Sequence, residues 1–253
     1  MELNRNNYFS LQAQMEYMGV SQFKAFEQCE AAALAEIKGE WQQPKTTALL
    51  VGSYVDAYFE GSLDLFKAEN ADIFTQKGEL KAPYKQADEI IARVERDKFF
   101  MRFMDGDKQV IRTGEIDGIP VKIKIDVLHP KMIVDLKVMK DFKPMWKDKQ
   151  LLTFAEAWGY DLQGAVYQAI EGSDKPFIIA GVTKETVPDI ALYKVPQEFM
   201  DERLKYFKSR LKHYADIKKG LIEPTRCGHC DYCKATKVLS QVVDLRELIY
   251  EME

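Results

Sequence analysis

The sequence predicts an α/β (α+β) fold in which helices pack on a β-sheet containing an antiparallel meander. Three observations lead there. The run from Gln109 to Met139, QVIRTGEIDGIPVKIKIDVLHPKMIVDLKVM, alternates like strands and is punctuated by Asp117-Gly118 and His129-Pro130, which suit tight turns. Segments of helical spacing lie on both sides of it. Two more strand candidates, FIIAGVTKE and DIALYKVPQ, follow. With 253 residues, 46% of them hydrophobic, the chain can bury one substantial core or at most two small ones. It reads as a single domain, 1–253, with elaborations.

Taken in order, Ser21 caps a helical pattern, FKAFEQCEAAALAEIKGE, whose Ala-rich stretch through Ile37 is a good helix former and which Gly39 closes. A second helix is predicted from about Thr47 to Glu60, where Gly52 runs against propensity and so calls for a packing reason. A short helix at Ser62 to Asn70 and another from roughly Tyr84 to Phe99 precede the meander. Beyond a loop containing Pro144, Phe154 to Ile170 has helical spacing. A long charged helix from Gln197 to Lys219 ends at Gly220, and the tail VLSQVVDLRELIYEME has some helical character.

Composition excludes several classes. No apolar run approaches the roughly 20 residues that cross a bilayer, and MELNRNNYFS lacks the apolar core of a secretory signal, so no membrane association and a cytoplasmic location are expected. The 36 Lys and Arg against 40 Asp and Glu leave a net charge of −4, which does not advertise a nucleic-acid binder; such a protein would need its basic residues gathered in one groove. Function has to be read from local motifs.

In the strand Ile119 to Leu128, Val121, Ile123, Ile125 and Val127 fall on one face, and Lys122, Lys124 and Asp126 on the other. In the next strand Asp135 and Lys137 share a face opposite Val134 and Leu136. A tight turn at His129-Pro130-Lys131 would bring Asp126 and Asp135 close. Two converging carboxylates make a hard oxygen site suited to Mg²⁺ or Mn²⁺. The adjacent ammonium could orient the attacking water or offset charge on a phosphoryl oxygen, which completes a hydrolytic site. Asp-x-Lys alone also describes a solvated strand face; the order around it gives it meaning.

That order, a Gly-containing hairpin, KIKID, a short turn, an apolar Ile-Val and then DLK, resembles the PD-(D/E)XK nucleases. It is most similar to the phage-type exonuclease VIII (RecE) group and its relatives in the RecB nuclease-domain clan, over nearly the whole chain. The resemblance implies a restriction-endonuclease-like core with a central mixed sheet flanked by helices. It also implies that Asp126 and Asp135 bind the divalent metal and that Lys137 is the active-site lysine. GSYVDAYFE resembles the clan's G-x-x-x-H-x-x-x-E pattern at Gly52 and Glu60, with Asp56 where the metal-binding histidine is expected. Asp56 is thus either an oxygen ligand for a harder cation, a mark of weakened activity, or a surface carboxylate. DLQGAVYQA resembles the Q-x-x-x-Y motif, placing Gln163 and Tyr167 one turn apart, with Tyr160 on the same face, where they could contact a DNA phosphate.

Cys227, Cys230 and Cys233 form C-x-x-C-x-x-C, whose thiolates can converge on one metal that wants a fourth ligand. The remaining cysteine, Cys29, lies in a segment resembling that of the early cysteine in iron–sulfur nucleases such as AddB and the CRISPR adaptation nucleases. The resemblance implies a [4Fe–4S] cluster that clasps the C-terminal segment, about 221–253, near the N-terminal helix. Zn²⁺ is the rival occupant, with His229 or Cys29 as fourth ligand.

Together the resemblances imply a Mg²⁺-dependent exonuclease on linear duplex DNA, acting 5′ to 3′ in phage or prophage recombination. DNA, a single-strand annealing protein and further copies of the chain in a homo-oligomer are the expected partners. Two alternatives stand beside it: an iron–sulfur nuclease in DNA processing or CRISPR adaptation, and a DNA-binding or scaffold module that has lost catalysis.

Overall fold

The N-terminal third is helical, as its spacing predicts, but it is more finely divided. The computed structural model describes residues 1–147, 149–240, 242, 244 and 245. Helices α1 (Leu11–Glu16), α2 (Val20–Gln28) and α3 (Glu30–Ile37) open the chain. The first predicted helix is therefore two, starting after Gly19 and not capped by Ser21. The break falls at Cys29, which is extended (φ −164°, ψ 110°). Glu30, at the new N-terminus, accepts from the Thr225 backbone N–H at 2.8 Å and its hydroxyl at 2.6 Å. A long-range tie thus replaces one turn of helix. Gly39, at φ 73°, closes α3 as expected.

Helix α4 (Thr47–Glu60) has the predicted bounds, with Thr46 accepting from the Leu49 N–H and left-handed Gly61 at its end. It is followed by α5 (Leu63–Glu69), a 3₁₀ turn (Ala71–Ile73) and α6 (Ala82–Glu95). The helix expected over Tyr84 to Phe99 stops early. Asp97 caps a separate α7 (Lys98–Met104), accepting from the N–H groups of Phe99 and Phe100.

Strands β1 (Asp107–Ile116), β2 (Ile119–Leu128) and β3 (Ile133–Met139) form the antiparallel meander. Asp117 and Gly118 both take positive φ, which the two-residue hairpin demands. A small hairpin that the sequence did not signal, β4 (Met145–Lys147) and β5 (Gln150–Leu152), follows the Pro144 loop. The helix expected over Phe154 to Ile170 is split by left-handed Gly159 into α8 (Phe154–Ala157) and α9 (Tyr160–Glu171). Then come β6 (Phe177–Thr183), β7 (Ile190–Lys194), α10 (Gln197–Lys218) and α11 (Asp231–Ala235). The predicted helical tail from Val238 falls largely outside the described residues.

The main sheet has the order β1-β2-β3-β6-β7, with β3 and β6 parallel and the other neighbours antiparallel, so it is mixed. Every residue of β6 is buried, as suits a strand covered on both faces. One apolar cluster takes Ile133, Met139, Phe177 and Ile179 against α2, α9 and α10; the other takes Val134, Leu136, Ile178 and Ala180 against α4 and α6. Among the described residues no helix is long and apolar enough to cross a membrane.

Candidate active site

The site forms where two neighbouring strands separate. β2 and β3 pair at only two positions, Val127 with Val134 and Leu128 with Ile133, next to their turn. Beyond that point their backbone groups need other partners, because a buried unpaired N–H or C=O is costly. The Leu136 N–H donates to Asp126 Oδ2 at 3.1 Å, and the Lys124 carbonyl accepts from the Tyr167 hydroxyl at 2.8 Å. Side chains thus fill the gap in the ladder.

Alternation along β2 fails at this spot. Val127 packs in the second apolar cluster instead of joining Val121, Ile123 and Ile125 in the first, where Leu128 sits. The ladder with β1 skips Gln109 and Asp126, and Gln109 stands at φ 54°. A local kink of this kind re-aims side chains, here Asp126. Of the cations expected beside Asp126, Lys122 is withdrawn: its ammonium donates to the Tyr8 carbonyl and to Gln14 Oε1. Lys124 pairs with Glu60 at 3.8 Å.

Asp135 is fully buried at the centre. Its Oδ1 accepts from the Gln163 amide at 2.7 Å, while its Oδ2 lies 2.5 Å from the Lys137 ammonium, outside hydrogen-bonding geometry. Gln163 also donates to the Tyr167 hydroxyl at 3.0 Å. The amide and phenol of α9 therefore face inward onto a carboxylate and a strand carbonyl. Tyr167 is buried and fully engaged, so a DNA phosphate is not its partner in this geometry.

Burial pushes the Asp135 carboxyl up to about 7, against the opposing pull of Lys137. Burial also disfavours the Lys137 ammonium, yet Asp135 and Asp126 outweigh it and hold the group charged. Asp56 projects from α4 into the same field; burial first, then the Asp126 charge, raise its carboxyl well above the ordinary range. It is no surface carboxylate. Its Oδ1 is buried without a hydrogen-bond partner, and Asp56, Glu60 and Asp126 line one cleft. Asp56, Asp126 and Asp135, held together against their own repulsion and with an oxygen on Asp56 and another on Asp135 lacking a hydrogen-bond partner, fit a hard divalent cation such as Mg²⁺ or Mn²⁺.

Nothing in the sequence marks Lys24 of α2 as part of this region. Its ammonium donates to the Trp158 carbonyl at 2.8 Å and lies 5.7 Å from the centre of the Tyr160 ring. Burial, and then the Lys137 charge, push it down to about 8. The Lys137 ammonium is 5.1 Å from the same ring. Tyr160 is thus set between two lysines, one of them 136 residues earlier in the chain, which no local pattern announces.

A second cluster lies away from the carboxylates. The sulfurs of Cys29, Cys227, Cys230 and Cys233 all lie within 4.8 Å of one another, and the four are free cysteines. The Cys230 N–H points at the Cys227 sulfur (3.3 Å) and the Cys233 N–H at the Cys230 sulfur (3.4 Å). Burial disfavours the Cys227 thiolate, but the His229 and Cys230 N–H groups outweigh it and bring the thiol down to about 6. Burial takes Cys230 up to about 12. Four sulfurs in this packing suit a metal centre. His229 stands outside the group, exposed, its Nδ1 against the Cys227 carbonyl. Thr225 reaches Glu30 of α3, and the Cys233 sulfur lies 3.6 Å from that of Cys29.

The model of the PDDEXK-like domain of unknown function DUF3799 matches residues 19–236, which include every residue of both clusters. The chain belongs to this PD-(D/E)XK-like family. The family's mixed sheet flanked by helices is the architecture described above. A crystal structure from Eubacterium rectale, named as that of a candidate exonuclease, is 48% identical over 98% of each chain with a TM-score of 0.94. The structure of SSO0001 aligns at 14% identity over 92% of this chain and 95% of that one, with a TM-score of 0.31, and nothing rests on that likeness. No curated protein matches. Family membership and the Eubacterium rectale neighbour together support a nuclease.

Proposed function

We propose that this PD-(D/E)XK chain is a divalent-metal-dependent deoxyribonuclease that degrades linear DNA from its ends. The observation that carries the reading is Asp135, buried between Lys137 and Gln163 with Asp126 and Asp56 in its field. Asp56, Asp126 and Asp135 would hold Mg²⁺ or Mn²⁺, which when bound acts as a Lewis acid on a phosphoryl oxygen and makes water a better nucleophile. Lys137, held charged by Asp135 and Asp126, would stabilise negative charge growing on the phosphate or orient the attacking water. Gln163 would orient Asp135, and Tyr167 in turn Gln163. The test is Mg²⁺-dependent digestion of linear duplex DNA by the wild type, Asp135→Ala and Lys137→Ala. Both variants should retain DNA binding and lose cleavage; equal digestion by all three rejects the reading.

The likeness of the motifs to the exonuclease VIII group supports 5′ to 3′ polarity, a role in phage recombination beside a single-strand annealing protein, and a homo-oligomeric cytoplasmic enzyme. Duplexes labelled at one end or the other report polarity directly. The reading as an inactive scaffold loses its best support, because Asp56 joins the carboxylate group.

The four-sulfur cluster supports a second metal centre with a structural role. We assign it a [4Fe–4S] cluster ahead of Zn²⁺ on the resemblance of the Cys29 segment to that of the iron–sulfur nucleases, since four cysteines at this spacing accept either metal. Anaerobically purified protein should be brown, with visible absorption that bleaches on reduction and is lost in Cys230→Ser. Stoichiometric zinc without iron reverses the choice.

A further inference from the structure

The carboxylates have very different surroundings on their two sides. On one side a groove of about 720 Å³ runs from Asp56 and Lys137 outward between Leu49, Met145, Trp158 and the lysines Lys140, Lys143 and Lys184, with Asp141 also in its lining and the Lys184 ammonium donating to the Ala48 carbonyl at 3.2 Å. Trp158 is 54% exposed and Leu49 59%, so the groove offers large apolar faces to solvent among positive charges. The loop after β3 is locally basic: Lys140 to Lys149 hold four lysines and two aspartates, +2 within a chain of net charge −4. On the other side a smaller cavity of about 380 Å³ is lined by Asp56, Glu60 and Glu69 with Phe9 and Leu65, and its Lys124 is already paired with Glu60.

We propose that the basic groove is the track of a single DNA strand whose terminal phosphodiester lies at the carboxylates, a reading that rests on the nuclease function above and names its substrate. Phosphates run along Lys140, Lys143 and Lys184, which supply the charge complementarity that the overall composition lacks. A base stacks on Trp158, whose position is fixed by the Lys24 ammonium on its carbonyl and by the left-handed Gly159 after it. Within a duplex both faces of an inner base are covered, so an exposed indole favours an unpaired strand. The acidic cavity beyond repels phosphate. A polyanion is therefore accepted on one side of the site alone, which makes cleavage start from an end.

The test measures binding of a labelled oligothymidylate in EDTA, where cleavage does not interfere. The Lys140→Gln/Lys143→Gln protein, altered only at exposed positions, should lower the log–log salt slope of binding by about 1.4. Trp158→Ala should weaken binding on the order of tenfold. A protein retaining Trp158 alone, made by Trp41→Phe and Trp146→Phe, should show its fluorescence quenched by the oligomer. With Mg²⁺ restored, linear single strands should be degraded and circular ones left intact. Wild-type affinity and slope in both groove variants, or digestion of the circle, overturns the proposal. If those variants bind normally while Asp135→Ala abolishes cleavage, the groove assignment falls and the nuclease stands. If no protein cleaves DNA yet the groove variants lose binding, the nuclease falls and the groove stands.

Discussion

Gln163 donates to Asp135 at 2.7 Å while its neighbour one turn on, Tyr167, closes the chain of hydrogen bonds on the Lys124 carbonyl. A helix on one face of the sheet thereby orients a carboxylate on β3 and caps the frayed edge of β2. Groups of this kind typically contribute 10- to 100-fold to metal affinity or activity. Gln163→Ala should therefore lower cleavage by roughly that factor and raise the Mg²⁺ concentration needed for half-maximal rate. Tyr167→Phe, which keeps the ring in the core, should have a smaller effect in the same direction. A Mg²⁺ titration of the rate decides it: an unchanged midpoint in both removes the orienting role.

Burial first, and then the Asp126 charge, disfavour the ionised form of Asp56. Without metal, Asp56→Asn should melt higher than the wild type, because a neutral amide relieves that opposition. With Mg²⁺ the order should reverse, since a ligand in 100-fold excess over its dissociation constant adds about 2.7 kcal/mol to a protein that binds it. Thermal melts with and without Mg²⁺ test both halves. A Mg²⁺ response equal to the wild type's would take Asp56 out of the metal site.

Two helical glycines should behave oppositely. A Cβ on Gly164 would lie 2.8 Å from Met200 Sδ and from two Phe177 ring carbons, in a packed layer, so Gly164→Ala should cost about 1–3 kcal/mol. At Gly52 the nearest atom is Val138 Cβ at 4.0 Å, an ordinary contact. The packing demand expected there from the sequence is therefore slight, and Gly52→Ala should stabilise by roughly 0.5–1 kcal/mol through helix propensity. Urea denaturation of the two variants compares them directly.

Lys218 is buried, donating to the Tyr17 carbonyl at 2.7 Å and to Gln22 Oε1 at 3.1 Å, and among the described residues it has no carboxylate in contact. Burial, and then the Lys122 charge, bring its ammonium down to about 7 from an ordinary 10.5. Between those values the unfolded chain binds the proton that the folded one releases. Stability from this group should therefore rise with pH above about 7, with a limiting slope of about 1.4 kcal/mol per pH unit for one proton. Lys218→Met should lose that contribution to the slope; equal slopes from pH 7 to 9 in both proteins would refute it.

Much of the fold was legible because its signals are local. The bounds of α4 follow from Thr46 and Gly61, the β1–β2 hairpin from Asp117-Gly118, and the shared face of Asp135 and Lys137 from strand geometry alone. The misses have two causes, one long-range and one local. Cys29 interrupts a good helical pattern for a sulfur cluster 198 or more residues away in sequence, and Asp97 divides another by capping the next helix. Propensity is worth tenths of a kcal/mol per residue, and a buried long-range contact outweighs it.

By itself the sequence determined the composition of the site: which acids and which lysine sit on neighbouring strands, and that four cysteines stand apart in two places. Only the tertiary structure decided that β2 and β3 part after two residue pairs, so that Asp126 turns to the Leu136 N–H and Tyr167 to the Lys124 carbonyl. It alone brought Lys24 to Trp158 and set a basic groove on one side of the carboxylates and an acidic cavity on the other. The division follows from range: period and turn chemistry act over a few residues, whereas the partners of an unpaired strand edge come from wherever the packed chain returns.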